Sequence, residues 1–341
     1  MVLPDSPNQT INKQIGLKLL SIIPLEGRKA REVVKTLATA ALSNDSIENK
    51  AKQVGISPQT VRNYVEEQDQ AIDKMMDEIK KNSLKLLGGR KTVRISIDLT
   101  SIRYKGKPVE GISGSKQGNA WDYATATTTV RKKTLILACT PVKKGVTKLQ
   151  IVQDLVGQVL ALGLEIDLIV LDAGFYSVDV LNYLENFDYI MSVPARKVRV
   201  KHKYDGEYTA KSKGKEATFR LIVYKGRKGK YLAKATNLDV SKRLVIKWYN
   251  KVRTPIETSY KMTKSFLVFT SSKSWVFRFF TFVLAMLIYT LYLILAKGRI
   301  SKEFFRLLLL LLLLLDNITD LIEYSIQFFS TLLNSFELNS G

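Results

Sequence analysis

Asp98 and Asp172 are the residues whose settings point most directly to chemistry. Each ends or nearly ends an apolar run, in Ile95-Ser96-Ile97-Asp98-Leu99 and in Ile169-Val170-Leu171-Asp172-Ala173-Gly174. If these runs are adjacent strands, the two carboxylates are brought together, and acids forced into proximity repel unless a divalent cation lies between them. Mg2+ accepts hard oxygen ligands and keeps waters for a reaction. Strand-end aspartates also serve as simple caps, so the pair by itself is a weak sign. A third acid, Glu257, lies between Arg253 and Lys264, with Tyr249 upstream. Pro255 is expected in the first turn of a helix there, with Glu257, Tyr260, Lys261 and Lys264 on neighbouring faces. A carboxylate beside cations would complete a phosphoryl-transfer site; the plain alternative is an amphipathic surface helix with a charge pair.

The elements that must position these acids follow from periodicity. Val93, Ile95 and Ile97 alternate up to Asp98, Tyr123 to Val130 is Thr-rich, and Thr134 to Ala138 is apolar. Three consecutive strand signals predict an antiparallel meander. A helix from about Lys148 to Leu162 and a buried strand from Ile166 to Leu171 follow, which makes a mixed α/β sheet. Gly88-Gly89-Arg90-Lys91 marks a boundary. Before it, residues 29–85 read as helical. Within them Gly55 supplies a turn, Ser57 an N-cap and Pro58 a first helical position, the layout of a helix-turn-helix over about 45–67. Gln59, Thr60, Arg62 and Asn63 on the second helix are expected to face DNA; the bland reading is a helical hairpin.

Charge narrows the partners. With 53 Lys and Arg against 31 Asp and Glu, the chain carries +22, more than solubility needs, and implies a polyanion such as nucleic acid or an anionic membrane. Residues 196–243 hold 16 Lys and Arg against 4 Asp and Glu, a net of +12. Strands around Phe219 to Tyr224 and Tyr231 to Ala235, with Gly226 and Gly229 between them, make this a basic β insertion that would repel itself unless phosphates neutralise it. One cysteine, Cys139, excludes an internal disulfide framework, and one histidine, His202 among lysines, is poorly placed for a triad or a zinc site. Gly111 to Gly118 lacks the spacing of a phosphate loop.

The segment from Phe279 to Ala296 is 18 residues without a charge. As a helix it would run about 27 Å, at the limit for spanning a membrane. Its Thr281, Tyr289, Thr290 and Tyr292 favour a buried core helix over a membrane span. The leucine run from Leu307 to Leu315 is too short for a second span and reads as a terminal helix or a partner surface.

Taken together, Ile97 to Gly106, Leu171 to Ser177 and Arg253 to Lys264 resemble the three motif regions of prokaryotic insertion-sequence transposases of the DDE class. The third region of that family reads Tyr, two residues, Arg, three residues, Glu, six residues, Lys. Arg253, Glu257 and Lys264 fit it, and Tyr249 stands one residue further from Arg253. The resemblance covers roughly 91–296. It implies an RNase H-like fold with a β insertion, catalysis by Asp98, Asp172 and Glu257 through two Mg2+ or Mn2+ ions, and phosphate contacts from Tyr249, Arg253 and Lys264. It also implies double-stranded DNA at transposon ends and target as partner, a homodimer in the synaptic complex, and no small-molecule substrate. The expected layout is a helical DNA-binding domain over 1–88, the catalytic domain over 89–300 with its insertion at 196–243, and a helical tail over 301–341, in a cytoplasmic, nucleoid-associated protein. The rivals are a non-catalytic DNA-binding protein, an inactive transposase remnant, or a membrane-associated protein.

Overall fold

The computed structural model describes residues 23–115, 118–194, 202–226, 229–296, 300–311 and 313. The first residues of the basic stretch, 196–201, and the tail beyond 313, with the last of the leucine run, lie outside the described residues.

Four helices come first: α1 (Ala30–Ser43), α2 (Ile47–Val54), α3 (Pro58–Glu66) and α4 (Gln70–Leu87). Gly55 ends α2 at φ 83, a left-handed conformation that costs glycine little, and Ser57 caps α3 by accepting from the Thr60 N–H at 3.0 Å. A nine-stranded sheet follows: β1 (Thr92–Arg103), β2 (Ser113–Ser115), β3 (Gly118–Val130), β4 (Lys133–Val142), β5 (Glu165–Leu171), β6 (Tyr189–Val193), β7 (Tyr204–Ser212), β8 (Lys215–Lys225) and β9 (Tyr231–Thr236). Its order is β2-β3-β1-β5-β6-β9-β8-β7, with β4 also on β3. The β1-β3-β4 meander is antiparallel, whereas β5 and β6 run parallel to β1 through crossovers containing α5 (Lys148–Leu160) and α6 (Val178–Leu184). This is the RNase H-like mixed sheet. The basic insertion does not leave it: β9 pairs antiparallel with β6, and the β7–β8 hairpin extends the same sheet.

Two helices close the fold, α7 (Lys242–Lys264) and α8 (Trp275–Ala296). α8 packs on α4, α7 and β4, and its segment Trp275–Leu295, long and apolar enough to cross a membrane, is mostly buried. The ring of Tyr123 on β3 stacks against Phe282, 4.2 Å between centroids. The core is continuous from Val33 and Leu37 of α1 through Ile95 and Ile97 of β1 to Phe280 and Leu284 of α8. Ser83 on α4 donates to the Ile136 carbonyl on β4 at 2.7 Å, and Ile47 donates to the Phe269 carbonyl at 3.0 Å, so the helical region is stitched to the sheet. A further helix, from residue 302, buries Phe305, Leu309 and Leu313 at i, i+4 and i+8 and exposes Phe304, Leu307 and Leu311.

Two local expectations are corrected. Pro255 is not in a first turn: α7 starts thirteen residues earlier, at Lys242, and runs through the proline. The lost N–H and the ring clash cost about 3 kcal/mol. The buried stripe of Val245, Tyr249, Ile256, Ser259 and Thr263 outweighs that cost by holding both halves on the sheet. Asp98 does not end its strand either, because β1 continues to Arg103, held by antiparallel pairing with β3 as far as Arg103 opposite Ala120.

Candidate active site

Strand register places the first two acids. β1 and β5 pair in parallel with Ile97 opposite Leu171 as the last partners. The next residues, Asp98 and Asp172, are therefore neighbours across a strand spacing of about 4.8 Å. Asp98 lies on the face of β1 that also carries Ser96 and Thr100, all buried. Burial raises the Asp98 carboxyl to about 6; Arg253 and the Leu99 N–H pull it down, while Asp172 and Glu257 push it up. The three acids thus share one electrostatic neighbourhood.

The third acid comes from α7, which lies across one face of the sheet, with Val245 and Tyr249 packed on Leu168, Val170 and Ile190 and with Tyr260 and Lys264 bonded to the backbone of β1. Arg253 pairs with Asp98 at 3.0 Å, and its other terminal nitrogen lies 3.9 Å from Glu257 one turn on. Arg253 is nearly buried, and its Nε and Nη1 have no hydrogen-bond partner among the described residues. Tyr260 donates to the Asp98 carbonyl at 2.9 Å and shares a 2.7 Å hydrogen bond with Thr125, the residue opposite Asp98 on β3. Lys264 donates to the Ser101 carbonyl at 3.0 Å, and burial lowers its pKa against the fields of Asp122 and Asp98. The Glu257 side chain is 68% exposed. Among the described residues no three His, Cys, Asp or Glu side chains stand close enough together to hold one metal ion. The Asp98 and Asp172 pair nevertheless fits a divalent cation. Both offer hard oxygens, and the repulsion and desolvation that raise Asp98 are what such an ion relieves.

Tyr249 is 8% exposed, its ring 3.1 Å from the Lys234 ammonium and its hydroxyl bonded to Ser192. Lys234, on β9, was not singled out by the sequence, where it is one lysine of many in a basic stretch. It is 4% exposed, donates to Ser192 at 3.0 Å, and is pushed down to about 7 by burial, with Asp172 opposing and Arg253 assisting. A strand pattern that alternated Lys234 with Ala233 and Ala235 was the signal available, since both flanking alanines are buried too. His202 is exposed. Cys139 is buried, which pushes its thiol well up.

On the N-terminal helices, Gln59 and Asn63 are exposed and bonded to each other at 2.6 Å, and Thr60 is half-buried and bonded to Ser57 at 2.8 Å. Arg62 is engaged inside the protein. It pairs with the Glu48 carboxylate and donates to Ser271 at 3.0 Å, locking α3 to α2 and to the segment after α7.

The sheet thus carries one acid within β1 and one just past the end of β5, with a helix laid across them. The family described as "Transposase DDE domain" matches residues 89–292, and the chain belongs to it. Residues 2–67 match a domain of unknown function, DUF4322. Solved structures similar to this chain include the piggyBac transposase synaptic complex with hairpin DNA, at 12% identity and a TM-score of 0.53, covering 89% of this chain and 79% of that one. No curated protein matches.

Proposed function

We propose that the chain is a DDE-type transposase that hydrolyses and transfers DNA strands at the ends of an insertion sequence, with Asp98, Asp172 and Glu257 as its metal-binding acids. The observation that carries this reading is the β1–β5 register that sets Asp98 beside Asp172, with Glu257 delivered by α7. Two Mg2+ or Mn2+ ions held there would activate a water or a DNA 3′-hydroxyl and stabilise the leaving oxygen. The protein's own part is positional. Tyr260 and Thr125 fix the backbone of Asp98, and Arg253 balances its charge; the remaining nitrogens of Arg253 are buried, so it would meet a phosphate oxygen only by shifting from this position. Lys264 adds a second phosphate contact. Glu257, exposed and one turn from Arg253, joins the acids by a side-chain rotation.

The Tyr249, Arg253, Glu257 and Lys264 set supports kinship with the prokaryotic insertion-sequence enzymes, with Tyr249 serving to brace α7 on Lys234. Duplex DNA at the element ends and at the target is the partner; α3 would offer Gln59, Thr60 and Asn63 to it. Work on two ends implies a homodimer in the synaptic complex. The burial of α8 supports a cytoplasmic, nucleoid-associated protein over a membrane-bound one.

The test is strand cleavage by the purified chain on DNA that flanks its own coding sequence, with Mg2+ or Mn2+ present. Cleavage leaving a 3′-hydroxyl is expected, and it should fall by several orders of magnitude in Asp172→Asn while DNA binding persists. Binding without any metal-dependent cleavage by the wild-type chain would refute the enzyme and leave a DNA-binding protein or an inactive remnant.

A further inference from the structure

A groove of about 730 Å3 opens between the tip of the β7–β8 hairpin and the segment that follows Asp172. Tyr176 and Tyr208 line it, each braced on Phe219 at centroid distances of 6.5 and 5.7 Å. Lys148, Lys211, Lys213 and Lys215 line it as well. A second hollow of about 320 Å3 shares Lys148 and Lys215 and prolongs the groove past the start of α5. The hairpin turn is Lys213-Gly214, at φ 49 and 75, and it gathers three lysines within five residues.

The lysines are available to an anion. Lys211 pairs with Glu216 at 2.9 Å and Lys215 with Asp179 at 2.7 Å, yet both lysine side chains stay about two-thirds or more exposed, at 75% and 67%. Surface pairs of this kind are screened and contribute little, so phosphates can replace the acids. Lys148 holds the Tyr176 carbonyl at 3.2 Å and so fixes the floor of the groove. Tyr176 is only four positions along the chain from Asp172. That is a reach of at most about 14 Å, or about four nucleotides of duplex rise.

Shape decides the form of the nucleic acid. Duplex DNA is read by elements that project into its own grooves. A concave, positively charged channel with aromatic rings in its lining is the arrangement that takes an unpaired strand, the backbone on the lysines and the bases against the rings. We propose that this groove holds an unpaired DNA strand next to the scissile phosphate. The inference rests on the transposase reading, and it adds a place where a strand separated at the element end is kept during the reaction.

The experiment measures binding of the full chain, without divalent metal, to two labelled DNAs carrying the same element end: one fully paired, one forked so that the flank is unpaired. The triple variant Lys211→Gln, Lys213→Gln, Lys215→Gln removes three exposed charges. With about 0.7 in salt slope per single-strand phosphate, the slope on forked DNA is expected to fall by about 2. The affinity lost between roughly 50 and 200 mM salt should then shrink by about 20-fold. Tyr208→Leu, which keeps an apolar contact with Phe219, should weaken forked DNA at least about fivefold and leave paired DNA unchanged. An unchanged slope on forked DNA overturns the proposal, and so does an equal fall on both DNAs, which would mark a duplex track. A wild-type chain that cleaves but shows either result refutes the groove alone; one that binds neither DNA refutes the transposase reading as well.

Discussion

Replacing Asp98 by Asn should make the metal-free protein more stable, although Asp98 is at the centre of the proposed chemistry. Its carboxyl is raised from 3.8 to about 6, chiefly by burial, with Asp172 and Glu257 adding to the rise against Arg253. A group that binds its proton more tightly in the folded state favours folding when protonated, and that benefit is lost as pH rises from about 4 through about 6. At pH 8 the ionised carboxylate therefore costs about 3 kcal/mol, from a gap of about 2 pKa units at 1.36 kcal/mol each. Asn mimics the protonated acid in shape and lacks the charge. Urea unfolding in EDTA should show Asp98→Asn ahead of wild type by about 3 kcal/mol at pH 8 and by about half as much at pH 5, where most of the folded wild-type carboxyl is neutral. Millimolar Mn2+ should stabilise the wild type and close the gap, because an ion relieves the same repulsion and does not bind the amide as well. A variant less stable than wild type at pH 8, with a gap that ignores pH, would show that Arg253 already balances Asp98 and that no cation is called for there.

Two further outcomes are expected. Pro255→Ala should restore an amide donor and remove a ring clash inside α7, raising stability by about 1–3 kcal/mol in urea unfolding; a loss would mean that the proline shape is needed on the sheet. Lys234→Met should raise the thermal midpoint at pH 7. Lys234 is pushed down to about 7, so its buried ammonium costs stability most below that pH, and the cost fades as pH rises toward 10.5. The advantage of the variant should accordingly narrow in melts recorded at pH 9 and above.

The strands and helices that hold the acids were legible because each pattern is local. Alternation through Val93, Ile95 and Ile97 identifies β1, and the apolar run before Asp172 identifies a strand buried on both faces. Their parallel register is not local, since Ile97 meets Leu171 only through long-range pairing. The start of α7 was missed for a physical reason: proline is preferred in first turns, and only the tertiary stripe around Val245 and Tyr249 shows that the helix is already under way. Lys234 was hidden by composition, because a buried lysine looks like the exposed lysines elsewhere in a basic stretch. Arg62 was read as free to meet DNA, and its pairing with Glu48 depends on how α2 lies against α3.

α7 also behaves as an indexed rod. Tyr249, Arg253, Glu257, Tyr260 and Lys264 are stations on one rigid helix of 23 residues, anchored at one end on β9 and at the other on β1. Each residue turns the helix by about 100° and advances it about 1.5 Å. Inserting or deleting a single codon between Tyr249 and Lys264 would swing every later station off the carboxylates, whereas a codon added at the Lys213-Gly214 turn would leave every station on α7 in place. The residue count is therefore fixed along the helix that reaches Asp98, where each station depends on all those before it.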